Sequence, residues 1–222
     1  MATAMCAAEI PPRVAMLGGT FDPVHVGHLR SALELREALA LDRVHMVPAR
    51  VPPHRATPGV DAEQRATMLA LGIADTPGLY VDDREIRREG PSYSTATLAS
   101  LREELGPQAR LVMALGYDAY LHLAEWHEPA RLFELAHIVV IDRPDHQQPL
   151  PAALEALIEG REVESADTLM QSPAGGLLHL SLPTRMAISA TVIRERLQRG
   201  ESVRYLLPDA VERYLLARRL YR

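Results

Sequence analysis

Among 222 residues there is one cysteine and one tryptophan, and the 24 basic side chains do not outnumber the 29 acidic ones. A lone thiol, Cys6, excludes a disulfide framework and a thiolate metal cluster, which suits a reducing, cytoplasmic setting. The formal charge of −5 gives no electrostatic footprint for nucleic acid, so a small-molecule partner fits better. No apolar stretch approaches the length of a transmembrane helix, so no membrane partner is expected. Met1 to Glu9 is alanine-rich but lacks a basic start and an adequate apolar centre. It reads as a frayed tail, with residues 1–12 outside the folded unit, and not as a signal peptide. Neither a Gly-x-Gly-x-x-Gly fingerprint nor a Gly-Lys-Ser/Thr is present, which removes a dinucleotide cofactor site and a Walker loop. Internal repeats and low-complexity tracts are also missing.

What remains is an alternation of short apolar runs with helical patterns. Strand-like runs fall at Arg13–Leu17, Arg43–Val47, Leu79–Asp82, Arg110–Leu115, His137–Ile141 and Leu177–Leu182. Helical spacing fits Leu29–Ala40, Ala62–Ala74, Thr95–Leu105, Arg131–Leu135 and Ala152–Glu159, with Asp61 and Ser94 as N-caps and Gly106-Pro107 as a stop. This order implies an α/β fold, a parallel sheet with helices on both faces. Residues 13–222 read as a single domain ending in a helical subregion of about 184–222, built from Ser189–Arg199 and Pro208–Arg219. In such sheets ligands lie beyond the carboxyl ends of the strands.

One of those ends carries Leu17-Gly18-Gly19-Thr20-Phe21-Asp22-Pro23-Val24-His25-Val26-Gly27-His28. Gly18-Gly19 permits a tight turn, and the following helix offers backbone N–H groups and a positive dipole end to a phosphate. His25 and His28, three apart, can share one side of the first helical turn and donate to phosphate oxygens, with Thr20 adding a hydroxyl. A zinc pair would need a further ligand at suitable spacing, and two surface histidines at a helix start would also fit the pattern. A second run, Ile188-Ser189-Ala190-Thr191-Val192-Ile193-Arg194-Glu195-Arg196, suggests another anion site at a helix start. Capping alone would explain Ser189, and a solvated helix face would explain the arginines.

The first run resembles the nucleotidyltransferase signature of the T/HxGH type, shared by adenylyl and cytidylyl transferases and, more distantly, by class I aminoacyl-tRNA synthetases. Its longer form, with the second run after it, is similar to bacterial nicotinate-nucleotide adenylyltransferases, and the likeness covers nearly the whole chain. The resemblance implies a Rossmann-like nucleotidyltransferase that joins ATP to nicotinate mononucleotide in NAD biosynthesis. It implies that Gly18, Gly19, Thr20, His25, His28, Ser189, Thr191 and Arg194 meet ATP, with Ile188 beside the adenosine. His25, His28, Ser189 and Arg194 would carry the catalysis. Gly116 and Asp118, in Gly116-Tyr117-Asp118, would approach the nucleotide and its ribose hydroxyls.

For the second substrate, backbone N–H groups at Tyr93 and Ser94 could take a carboxylate, and Trp126 could stack on a pyridinium ring. A lone tryptophan is more often packing. Pro52-Pro53-His54-Arg55 resembles a family segment that closes over the phosphates, which implies a part for His54, and Arg55 and Arg143 are suited to phosphate contacts, although a partnerless surface arginine is an ordinary finding. His122 and His127 match no metal motif. Mg2+ is expected on the ATP phosphates, since the motifs supply no acidic cage. A homo-oligomer is left open. Other acceptors within the class are nicotinamide mononucleotide and phosphopantetheine, and a catalytically silent nucleotide-binding module is the alternative outside it.

Overall fold

In a computed structural model, residues 10–51, 59–142, 149–184 and 186–222 are described. Six strands form one parallel sheet: β1 (Arg13–Gly19), β2 (Arg43–Pro48), β3 (Leu79–Val81), β4 (Arg110–Gly116), β5 (His137–Ile141) and β6 (Leu177–Leu180), in the order β3-β2-β1-β4-β5-β6. The strand order reverses between β1 and β4, and the crevice at that switch point is where doubly wound sheets bind nucleotides. Register runs Val14 beside Leu111 to Leu17 beside Ala114, so Gly19 and Gly116 finish neighbouring strands at the mouth of the crevice.

Alternation along each strand feeds two apolar layers. Ala15, Leu17, Val44 and Met46 face helices α1 (Val26–Ala38) and α2 (Ala62–Ile73), together with α9 (Ala190–Gln198) and α10 (Asp209–Ala217). Val14, Met16, Leu111 and Met113 face α4 (Ser94–Leu105), α6 (Pro129–Leu135) and α7 (Ala152–Ile158). The helical C-terminal residues are thus part of the first layer. Val211 and Leu215 of α10 are fully buried, each contributing roughly 1.5–3 kcal/mol. That anchors the chain end.

The parallel sheet with helices on both faces is the expected architecture, with corrections at several ends. β1 runs on through Gly18 and Gly19, so the tight turn does not fall there; the bend comes at Phe21, whose φ is +49°. Ser94 is the first residue of α4 and Tyr93 its N-cap, with no side chain accepting from the helix amides. Asp61 does cap α2, accepting from the Gln64 amide at 2.7 Å, and Gly106, at φ +84°, ends α4. Three short helices were not expected: α3 (Arg84–Arg87), α5 (Tyr117–Tyr120) and α8 (Ala166–Leu169). Each is a single turn, too brief for apolar periodicity to register.

Candidate active site

The loop between β1 and α1 is built around Phe21. A side chain on Gly19 would put its Cβ 2.9 Å from that ring, so glycine here makes room for the aromatic. The Phe21 ring in turn meets His28 edge-on at 5.1 Å between centroids, and His28 stacks on His25 at 3.6 Å. Gly27 completes the arrangement, because a Cβ there would lie 3.1 Å from His25 Nδ1. Gly18 makes only ordinary contacts at that position, and sterics give no reason for its glycine.

His25 is the N-cap of α1 and His28 its third residue. Each backbone N–H donates to the other's Nδ1 at 3.3 Å, a reciprocal capping box made of two imidazoles. A ring that accepts at Nδ1 carries its proton, when neutral, on Nε2, an assignment made from the hydrogen bonds. Burial lowers the His25 pKa to about 4, so near neutrality this ring is an uncharged donor. The helix start is less open than expected. The Val26 amide donates to Leu206 O at 3.1 Å, and His28 N also reaches His25 O. What this end can offer an anion therefore rests mainly on imidazole N–H groups and less on bare amides.

Three links bring the second motif to the first. Arg194 Nη1 donates to Asp22 O at 2.8 Å and lies 3.9 Å from the Asp22 carboxylate. Ile188 Cβ is 3.8 Å from where a Cβ on Gly27 would stand. Glu34, buried on α1, accepts from the Thr184 amide at 3.1 Å and so pins the chain that leads into Ile188. Ser189 Oγ caps α9 by accepting from Val192 N at 3.2 Å, and Thr191 Oγ1 accepts from Arg194 Nη2 at 3.2 Å. Both hydroxyl oxygens are acceptors in these bonds. Their protons remain to be donated.

Across the switch point, Gly116 caps α5, and a Cβ there would point into open space, so steric crowding does not require the glycine. Asp118 is exposed in the same helical turn. The Pro91-Ser92-Tyr93-Ser94 segment is held to the exit of β2: Arg50 N donates to Ser92 Oγ at 3.0 Å and Ser92 N to Val51 O at 3.1 Å. Tyr93 stacks on His127 at 4.2 Å, and Trp126, half-buried, packs at the border of the second apolar layer. His54, Arg55 and Arg143, like the tail to residue 9, lie outside the described residues. Among the described residues, no group of three or more His, Cys, Asp or Glu side chains is placed to hold a metal ion.

The cytidylyltransferase-like family model matches residues 16–196. A relative from Chromohalobacter salexigens, named "Probable nicotinate-nucleotide adenylyltransferase", is 80% identical over 218 residues, covering 98% of this chain and all of that protein. The chain belongs to the nicotinate-nucleotide adenylyltransferase family. A second relative of that name, from Pseudomonas syringae pv. tomato, is 46% identical over 96% of this chain and 95% of its own length. The solved Plasmodium falciparum nicotinic acid mononucleotide adenylyltransferase, complexed with NaAD, shares the fold at a TM-score of 0.70 and 15% identity, covering 95% of this chain and 97% of that one. A Vibrio parahaemolyticus structure, described as a putative nicotinate-nucleotide adenylyltransferase, superposes at 0.63 and 16% identity over 95% and 96%.

In this member of the family several supporting side chains escaped sequence reading. Arg65, 1% exposed on α2, donates to Thr20 O at 2.6 Å, Ala49 O at 2.7 Å and Val60 O at 3.2 Å, tying the β1–α1 loop to both ends of the β2–α2 connection. Burial lowers its pKa, with Asp22 acting in the opposite sense. A signal existed: Arg65 stands three and four residues before Met68 and Leu69, on the apolar stripe of its helix. Glu34, Tyr221 and His127 gave no comparable sign.

Proposed function

We propose that this chain transfers the adenylyl group of ATP to nicotinate mononucleotide, giving nicotinate adenine dinucleotide and pyrophosphate. The observation that carries the reading is the junction of two motifs at the β1–β4 switch point, through Arg194 and Asp22. An acceptor phosphate oxygen bonds to the α-phosphorus as the bond to the β-phosphate bridging oxygen breaks, releasing pyrophosphate. A phosphomonoester is largely dianionic near neutrality, its second pKa being near 6, so no general base is needed. The protein's task is to position the two anions and to stabilise charge that develops on the α-phosphate and the leaving group.

His25 and His28 donate Nε2–H to the phosphates. A neutral imidazole can strengthen its hydrogen bond as charge builds without having to lose a proton. Ser189, Thr191 and Arg194 serve the triphosphate from α9, and Ile188 borders the adenosine. The strand-end residues Gly18, Gly19 and Thr20 line the phosphates, while Gly116 and Asp118 meet the ribose. Mg2+ would enter with ATP, carried on its phosphates, since the motifs bring together no cluster of carboxylates to hold it among the described residues. His54, Arg55 and Arg143 are assigned to the acceptor.

The N-terminus of α4 selects the acid. The Tyr93 N–H, one of the two amides expected to meet the acid, already donates to Pro91 O at 3.0 Å; with no side-chain cap at Tyr93, the Ser94 amide is the one that suits a carboxylate, and a carboxamide would turn its own NH₂ against that donor. Such a mismatch costs roughly 1–3 kcal/mol for each unpaired buried group, and loss of the charge-assisted bond adds to it. Pyrophosphate release with each acceptor in turn is the test. Nicotinate mononucleotide should exceed nicotinamide mononucleotide by about two orders of magnitude or more in kcat/KM. Equal use of both would remove the acid assignment, and release with phosphopantetheine alone would replace the acceptor altogether.

A further inference from the structure

Asp22 is an unusual residue to find beside a triphosphate. It is an acidic side chain, 7% exposed, in the loop proposed to receive an anion. Its two carboxylate oxygens have different surroundings. Oδ1 accepts from the hydroxyl of Tyr221 at 2.6 Å, and Oδ2 lies 3.9 Å from Arg194 Nη1, beyond hydrogen-bond reach. Arg194 is held instead through the Asp22 backbone carbonyl. The carboxylate thus stands next to the arginine without taking its N–H groups.

Tyr221 is the penultimate residue of the chain, 199 positions from its partner. It is brought back by the burial of α10 and by two left-handed residues, Arg219 at φ +54° and Tyr221 at +62°. Its ring packs on the first apolar layer. Burial and the Asp22 contact both push the hydroxyl's pKa upward, so it stays a proton donor throughout the working range.

We infer that Tyr221 is a positioning residue for ATP binding, one that occupies Asp22 Oδ1 and thereby keeps the carboxylate from capturing the guanidinium of Arg194. The argument is one of competition between acceptors. Without the phenol, a buried carboxylate oxygen lacks a donor, and Arg194 is the cation already in contact with the same residue. A two-pronged carboxylate–guanidinium pair is among the stronger charge-assisted arrangements, and it would use the N–H groups that a phosphate needs. The C-terminal tail is then part of the nucleotide site. This inference rests on the assignment of Arg194 to ATP.

The test is direct titration with ATP, with no acceptor present, of the wild type, Tyr221→Phe, Asp22→Asn and the double variant, alongside their thermal midpoints. Tyr221→Phe should weaken ATP binding about tenfold, the scale of one lost charge-assisted contact. In the Asp22→Asn background, where a neutral amide cannot form the two-pronged charge-assisted pair with the arginine, the same change should cost less than about twofold. An equal loss in both backgrounds would mark a merely structural role and overturn the inference, as would unchanged affinity in Tyr221→Phe. A wild type that binds ATP but does not adenylylate nicotinate mononucleotide would refute the proposed acceptor while leaving this coupling measurable.

Discussion

The side of the crevice proposed for the phosphates is cross-linked by bonds between distant parts of the chain, whereas the side proposed for the acceptor is composed mainly of surfaces. Around Thr20 and Asp22 meet Arg65, Arg194 and Tyr221, which lie 45, 172 and 199 positions from their partners. Around Tyr93 the contacts are a ring stack with His127, a turn in which Tyr93 N–H donates to Pro91 O, and a helix end without a side-chain cap, with Ser92 fastening the segment to residues 50 and 51. The physical demands differ in the same way. Stabilising charge that appears only in the transition state requires donors already in place, since reorganisation would consume the gain. Recognising a flat ring and a carboxylate requires a face and a donor at a helix end, which tolerate small displacement.

The sharpest way to break this comparison is at His28. His28→Ala removes one preorganised donor and should lower kcat by about 10²–10³ while changing the apparent affinity for ATP far less. Steady-state kinetics with saturating nicotinate mononucleotide would show it. A kcat near that of the wild type would mean that the phosphate side also works by surface and general field.

His25 sharpens the comparison through pH. Its folded pKa of about 4 lies below the ordinary 6.5, so the unfolded chain takes up the proton first as pH falls. Its stabilising contribution is complete above pH 6.5, declines through the interval down to about 4 and is constant below. At about 1.4 kcal/mol per pH unit, the whole decline is roughly 3 kcal/mol. Urea unfolding of the wild type and His25→Gln at several pH values should therefore give a steeper loss for the wild type. Parallel curves would show that the ring is not held neutral by burial.

Trp126 carries the smallest expected effect. A cation–π contact with a pyridinium ring contributes about 0.5–2 kcal/mol, so Trp126→Ala should raise KM for the acid and amide acceptors by about the same factor and leave kcat little changed. Stacking senses the ring and not its substituent. A change in the ratio of the two acceptors would assign Trp126 a part in selecting the carboxylate, and a kcat loss as large as that of His28→Ala would erase the distinction between the two sides.

Much of the fold was legible because its strands are short apolar runs separated by segments of helical spacing. Asp61 and Gly106 marked ends by local chemistry that depends on a few neighbouring residues. Ser94 misled for the same local reason: serine is a good cap, but the chain places Tyr93 at that position. Gly18-Gly19 misled because glycine permits a turn without requiring one. The two histidines were found from spacing alone, yet their mutual capping and the neutral state of His25 depend on burial beneath a folded loop.

By itself the sequence determined the alternation of strands and helices, the two separated motifs and the family to which the chain belongs, since these rest on residue order and short-range periodicity. Only the tertiary structure decided that Arg65 would serve as a hub for backbone carbonyls, that Glu34 would pin the approach to Ile188 and that Tyr221 would reach Asp22. A buried charge is tolerable only where its partners converge. That convergence is made by packing of the apolar layers on the sheet, which brings together groups the sequence keeps far apart.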